Sequence, residues 1–255
     1  MKLNRSPCIA AASLLTLIIA GWSSSASAQS TSGDDGEWIL SPYLWGTALS
    51  GTSTIGVLPP LAIDASFSDI ASNLNFAFAM HTEYHNGRWA FVLDPMYVSI
   101  EADVDPGLPP GTTPPKLAVD MWFVELWAGY EIADKWEIYG GARYQSQDLD
   151  ISGLPSPPLP IAGLSVSEDW TDWFVGVRFT TDLSEKWFLA ARLDAAVAGD
   201  SDSATNASVM FNRRFGPDKS LNLGYRYFVN DYDNLPSYAW DMTQDGPILG
   251  FTWAF

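Results

Sequence analysis

The chain has one cysteine in 255 residues, Cys8. No intramolecular disulfide can form, so whatever holds the fold together is packing and hydrogen bonding. Basic residues are scarce: 13 Lys and Arg stand against 30 Asp and Glu, for a formal charge of −17. A chain this acidic is a poor partner for nucleic acid or for an anionic membrane surface. There are only two histidines, His81 and His85. No Gly-x-Ser-x-Gly elbow is present, which weighs against hydrolases built on that turn. Beyond residue 20 no apolar run approaches the roughly 20 residues that a membrane-spanning helix needs.

What is abundant is aromatic. Aromatic residues make up 14% of the chain, with 12 Trp, while charged residues reach only 17%. That charge content is below the usual quarter. A membrane barrel ringed by aromatic girdles accounts for both numbers.

The first 28 residues read as a secretory signal peptide. Lys2 and Arg5 precede an apolar run, Ile9 to Ala20, interrupted only by Ser13 and Thr16, and Ala26-Ser27-Ala28 supplies the small residues of a cleavage site. Removal of this leader takes Cys8, Lys2 and Arg5 with it and moves the charge from −17 to −19. Residues 29–36 are polar and Gly/Ser-rich, a flexible lead-in. Residues 37–255 are expected to form a single barrel domain.

From Glu37 onward, runs of about ten residues alternate with period two. The last is the clearest. Leu249, Phe251, Trp253 and Phe255 share one face, and Gly250, Thr252 and Ala254 share the other. Bulk apolar residues out and small or polar residues in is the inverse of a soluble barrel. Leu221 to Val229, Trp173 to Phe179 and Trp136 to Tyr144 repeat it. In lipid every backbone group must be paired within the protein, so such strands must close. The connections alternate too. Asn86-Gly87, Ala133-Asp134-Lys135, Ser184-Glu185-Lys186 and Gly216 to Lys219 are short. Segments 51–73, 104–116, 152–163, 199–204 and 233–240 are longer, and three of them are Pro-rich. Short turns on the periplasmic side and long loops outside is the outer-membrane arrangement. The expected fold is therefore all-β, a transmembrane antiparallel up-and-down barrel of about ten strands, with eight or twelve as alternatives. Eight would require that the runs near 74–85 and 204–215 are not strands. Within 66–74, Ser66 or Ser68 is placed to cap a helical turn or two that could fold into the barrel mouth as a partial plug.

Several short motifs carry a resemblance. Leu223-Gly224-Tyr225-Arg226-Tyr227, Asp231-Tyr232, Gly246-Pro247-Ile248-Leu249-Gly250-Phe251 and the terminal Phe255 resemble a family of small, largely uncharacterised proteobacterial outer-membrane β-barrels. Ser41-Pro42-Tyr43-Leu44-Trp45-Gly46, Phe67-Ser68-Asp69-Ile70 and Gly140-Gly141-Ala142-Arg143-Tyr144 look like the same family. The resemblance implies a location in the outer membrane and brings no catalytic residue with it. Phe251, Trp253 and Phe255 resemble the terminal signal read by the barrel-insertion machinery of outer-membrane proteins.

Side-chain parity nominates the interior. Arg143, Arg178, Arg192 and Arg226 fall on inward faces, with Glu83, Asp94, Glu125, Asp172 and Asp194. Arginine withdrawn from water needs partners, so these nine are expected to form a lumen charge network. That network is either a packed core or the lining of a narrow path for small solutes. His81, Glu83 and His85 share one face of a strand and are a candidate zinc or nickel site, incomplete without help from a neighbouring strand. Trp38, Trp45, Trp89, Trp122, Trp136, Trp173, Trp187 and Trp253, with Tyr97, Tyr130 and Tyr144, read as interfacial anchors. The expected function is an integral outer-membrane barrel with a structural or surface-interaction role. A narrow porin-like channel is the alternative, and a lipid-modifying enzyme the second. No catalytic residue and no cofactor is assigned. The partners expected are outer-membrane lipids, with periplasmic chaperones and the insertion machinery during biogenesis, and the chain is expected to be a monomer.

Overall fold

The computed structural model describes residues 36–56, 59–103, 114–153 and 163–255. Residues 1–35, on which the expected signal peptide and lead-in fall, and parts of the three Pro-rich segments lie outside the described residues. No helix among the described residues is long and apolar enough to cross a membrane. The chain instead forms strands: β1 (Glu37–Trp45), β2 (Ala48–Ile55), β3 (Leu61–Ala65), β4 (Leu74–Asn86), β5 (Trp89–Asp103), β6 (Lys116–Ala133), β7 (Trp136–Ser152), β8 (Gly163–Asp182), β9 (Trp187–Gly199), β10 (Ser203–Arg214), β11 (Lys219–Asn234) and β12 (Tyr238–Ala254).

Each strand from β4 to β12 pairs antiparallel with the next, and β1 pairs with both β4 and β12. Ten strands thus close a barrel, and both runs near 74–85 and 204–215 belong to it. The segment 51–73 is not a loop. β2 and β3 form a hairpin whose first strand pairs with the outer half of β12. Trp45 pairs with Ile248 and Ala48 with Asp245, so β2 prolongs the line of β1 without a change of register across Gly46–Thr47.

A six-residue helix, α1 (Phe67–Ser72), links β3 to β4. Ser66 caps it through a capping box with Asp69. It does not plug the mouth. Its Phe67 ring lies against Gly46 and Pro247, on the outer face of the wall, where a Cβ on Gly46 would come within 3.3 Å of both. It sits beside a gap in the ladder. β1 leaves β4 after the pair Pro42↔Met80, and β4 continues to Leu74 paired with β5 alone. Pro42 has no N–H to extend that ladder.

The faces follow the alternation. Leu44, Phe91, Leu126, Trp173, Val175, Leu193, Leu223 and Leu249 are exposed on the outside. Aromatic pairs mark the two edges of the lipid band. Trp38–Tyr84, Trp89–Tyr130 and Trp136–Phe179 lie beside the short turns, with ring centroids 4.8 to 4.9 Å apart. Tyr97–Trp122, at 4.9 Å, marks the far edge. The eight steps from Trp89 to Tyr97 rise about 20 Å along a tilted strand, close to the height of an outer-membrane apolar band. Trp45 is not part of either girdle. It points inward and packs with Phe123 and Phe228, because β1 carries its odd-numbered residues inside.

Above the girdle the wall continues. β8 has 20 residues and β6 has 18, about twice the 9–11 that cross the hydrocarbon. The added height holds a buried aromatic core. Trp170 stacks on Tyr232 at 4.5 Å, and Tyr238, Trp240 and Met242 complete the cluster.

Candidate functional site

The interior below that cluster is polar, and most of it is saturated. At mid-height Glu125 and Asp194 gather three guanidinium groups. Arg143 donates from Nε to Glu125 (2.8 Å) and from Nη2 to Asp194 (2.6 Å). Arg192 donates from Nη1 to Glu125 (2.8 Å) and from Nε to Asp194 (2.9 Å). Arg226 reaches Glu125 at only 3.4 Å and gives its Nε to Asn206 Oδ1 at 2.8 Å. Asn206 in turn donates to Asp194, as does the Tyr139 hydroxyl. The Arg143 guanidinium is boxed by the rings of Phe123, Phe174 and Phe228, 4.6 to 5.6 Å from their centroids. Its Nη1 has no hydrogen-bond partner among the described residues.

Glycines make room for this packing. A Cβ on Gly141 would fall 2.5 Å from Trp127, and one on Gly176 would fall 2.6 Å from the Tyr139 ring. Glu125, Arg143, Asp172, Phe228 and Asn230 are entirely buried. These buried side chains pack against one another at mid-barrel.

A second cluster lies nearer the short turns. Glu83 accepts from Arg178 Nη1 (2.9 Å) and Nη2 (2.5 Å), and Arg178 also reaches Glu137 at 2.8 Å. His85 Nε2 is 2.7 Å from Glu83 and His81 Nε2 is 3.2 Å from it. The other His81 nitrogen is 2.9 Å from Asp94, which also accepts from the Tyr43 hydroxyl at 2.8 Å.

All nine residues nominated for the lumen point inward, but they make two ion-pair clusters and one separate acid. Asp172 takes no arginine. The turn after β9 folds over it, and Ser201 donates from its backbone N (2.9 Å) and its Oγ (2.7 Å). His81, Glu83 and His85 do come together, yet not as a metal centre. Arg178 occupies both oxygens of Glu83, and a ligand pair facing a guanidinium repels a second cation. Among the described residues no group of three or more His, Cys, Asp or Glu is arranged to hold a metal ion. Sequence parity missed the uncharged members, Tyr43, Tyr139 and Asn206. Each was legible as a polar residue at an inward position, but nothing in its own strand says what lies opposite.

On the side of the short turns the lumen opens into a blind cup of about 480 Å³. Its floor is the mid-barrel network. One wall is the histidine–arginine cluster. The other is built of small or neutral side chains from β10, β11, β12 and β1, among them Ser208, Asn222, Gly250, Thr252 and Ser41.

A closed, lipid-girdled, antiparallel barrel with short turns at one end and tall strands at the other defines the class: this is an outer-membrane β-barrel fold. Among solved structures the chain is similar to the outer-membrane protease OmpT from Escherichia coli, with a TM-score of 0.55 and 6% identity over 87% of this chain and 97% of that one. It also matches the translocator domain of the autotransporter NalP from Neisseria meningitidis (TM-score 0.44, 12% identity, 88% and 90% covered). A further match is the attachment invasion locus protein Ail of Yersinia pestis (TM-score 0.40, 13% identity, 87% and 99% covered). No protein-family model matches the chain, and no curated protein does.

Proposed function

We propose that this protein resides in the outer membrane as a non-conducting barrel with a structural and surface-interaction role. The observation that carries this reading is the filled mid-barrel. Glu125 and Arg143 are entirely buried, and three guanidiniums, two carboxylates and three aromatic rings occupy the section that a solute would have to cross. An eight-stranded barrel has room only for side chains, and aqueous channels belong to much wider ones. Ten strands filled in this way leave the tall outer extension as the surface that meets the environment.

The test is conductance. Purified, folded protein in planar bilayers is expected to give no stable single-channel steps. Discrete steps that change when Arg178 or Arg226 is replaced by Ala would establish the narrow channel instead. Shortening the outer connections is expected to abolish surface binding while heat-modifiable gel mobility persists. Loss of both together would remove the surface role.

A further inference from the structure

The cup is not needed by a barrel whose only surface is outside, and its floor contains Arg226, the guanidinium that Glu125 holds least closely of the three around it. Glu125 is already taken by Arg143 and Arg192 at 2.8 Å each. That leaves Arg226 at 3.4 Å, beyond the range of an ordinary N–H···O bond. Its other neighbours include the Asn206 amide and the rings of Trp45, Phe123 and Phe228, 4.7, 4.8 and 6.0 Å from the guanidinium carbon. The side chain is only 6% exposed, and that exposed part belongs to the cup lining. A guanidinium this deeply withdrawn from water gains most from an anion that completes its fork of donors.

The rest of the cup suits the body of such an anion. Ile39, Phe188, Ala190, Met210 and Ile248 give it an apolar side. Gly250 adds no side chain to this wall, where a Cβ would already stand 3.1 Å from the Tyr43 Cβ. The volume is within the range of small-molecule sites.

We infer that the cup is a binding site, entered from the end that carries the short turns, for a small organic carboxylate. The carboxylate sits on Arg226 and the apolar body lies against Ile248 and Met210.

Ser208 provides the probe. It lines the cup and pairs directly across the sheet with Arg226 on one side and Arg192 on the other. In a Cys8→Ser background, Ser208→Cys places the sole thiol beside the floor. Its reaction with an anionic methanethiosulfonate reagent is followed in folded, detergent-solubilised protein, with benzoate or with benzamide, its neutral isostere, as competitor. Benzoate is expected to slow labelling at least threefold at concentrations where benzamide does not, and Arg226→Gln is expected to abolish that difference. Equal protection by both compounds overturns the assignment of Arg226 as an anion receptor. A reactive thiol protected by neither overturns the site, and an unreactive thiol overturns the open cup. The benzoate and benzamide arms on the Ser208→Cys protein decide the question alone if Arg226→Gln fails to fold.

Discussion

Replacing Glu125 by Gln removes one negative charge from the middle of the barrel and changes little else. The volume is the same and the strand is undisturbed, but three guanidiniums lose the carboxylate on which they converge. Arg143 and Arg192 each donate to it at 2.8 Å, and Glu125 has no exposure to solvent. Glutamine can keep one acceptor. Its NH₂ then faces a guanidinium donor, and water cannot enter to relieve the contact. Breaking a buried ion pair by altering one partner costs about 3–5 kcal/mol, and that is the destabilisation expected for Glu125→Gln. Arg143→Met, which keeps the bulk between Phe123, Phe174 and Phe228 and removes the charge, should cost a similar amount. The double variant tests the reasoning more sharply. With both partners neutral the second substitution should cost less than it does alone, and the coupling should exceed about 1 kcal/mol, as for contacting residues. The assay is reversible urea unfolding of the folded protein in lipid vesicles, followed by tryptophan fluorescence and by gel mobility without heating. If Glu125→Gln unfolds within about 0.5 kcal/mol of the unaltered protein, the range of an inconsequential surface change, the network does not hold the barrel together as argued.

Gly224→Ala should disturb the β10–β11 pairing, because the new Cβ would lie 2.3 Å from the Val209 carbonyl oxygen; slower hydrogen exchange, or none of the expected acceleration, at that pairing would count against it. Asp231 lies four residues beyond Tyr227, above the lipid band, directly opposite Asp241. Partial burial, then repulsion from Asp241, Asp202 and Asp233, holds its carboxyl above the ordinary range. The penalty is therefore full at neutral pH and is relieved as pH falls through the raised value, so Asp231→Asn should stabilise the outer β11–β12 hairpin at pH 7 and lose that advantage in acid, as read by hydrogen exchange. Phe255→Ala should lower the amount of assembled protein in outer membranes while refolding in vitro is retained; unchanged assembly would show that the terminal aromatic is not read.

Much of the fold was legible from two local properties. Alternation assigned faces correctly for β7, β8, β11 and β12, because on a strand the side-chain period is two and a lipid face tolerates only apolar bulk. Turn chemistry such as Asn86-Gly87 assigned the ends, because short connections need particular backbone conformations; Gly87 indeed has φ +60°. Parity likewise sent all nine charged residues inward. What a single strand cannot state is its neighbours' register. Which acid meets which arginine depends on strand stagger and on side chains reaching across the lumen. Arg143 meets Asp194 across 51 positions of sequence, and Arg178 meets Glu83 across 95. For the same reason Asp172 was placed with the arginines although Ser201 claims it, and His81, Glu83 and His85 looked like ligands until Arg178 came into view. The line of β2 along β12, the inward turn of Trp45 and the cup on the side of the short turns are likewise tertiary facts. They arise where strands distant in sequence close on one another, and the volume left between those strands belongs to no segment of the chain.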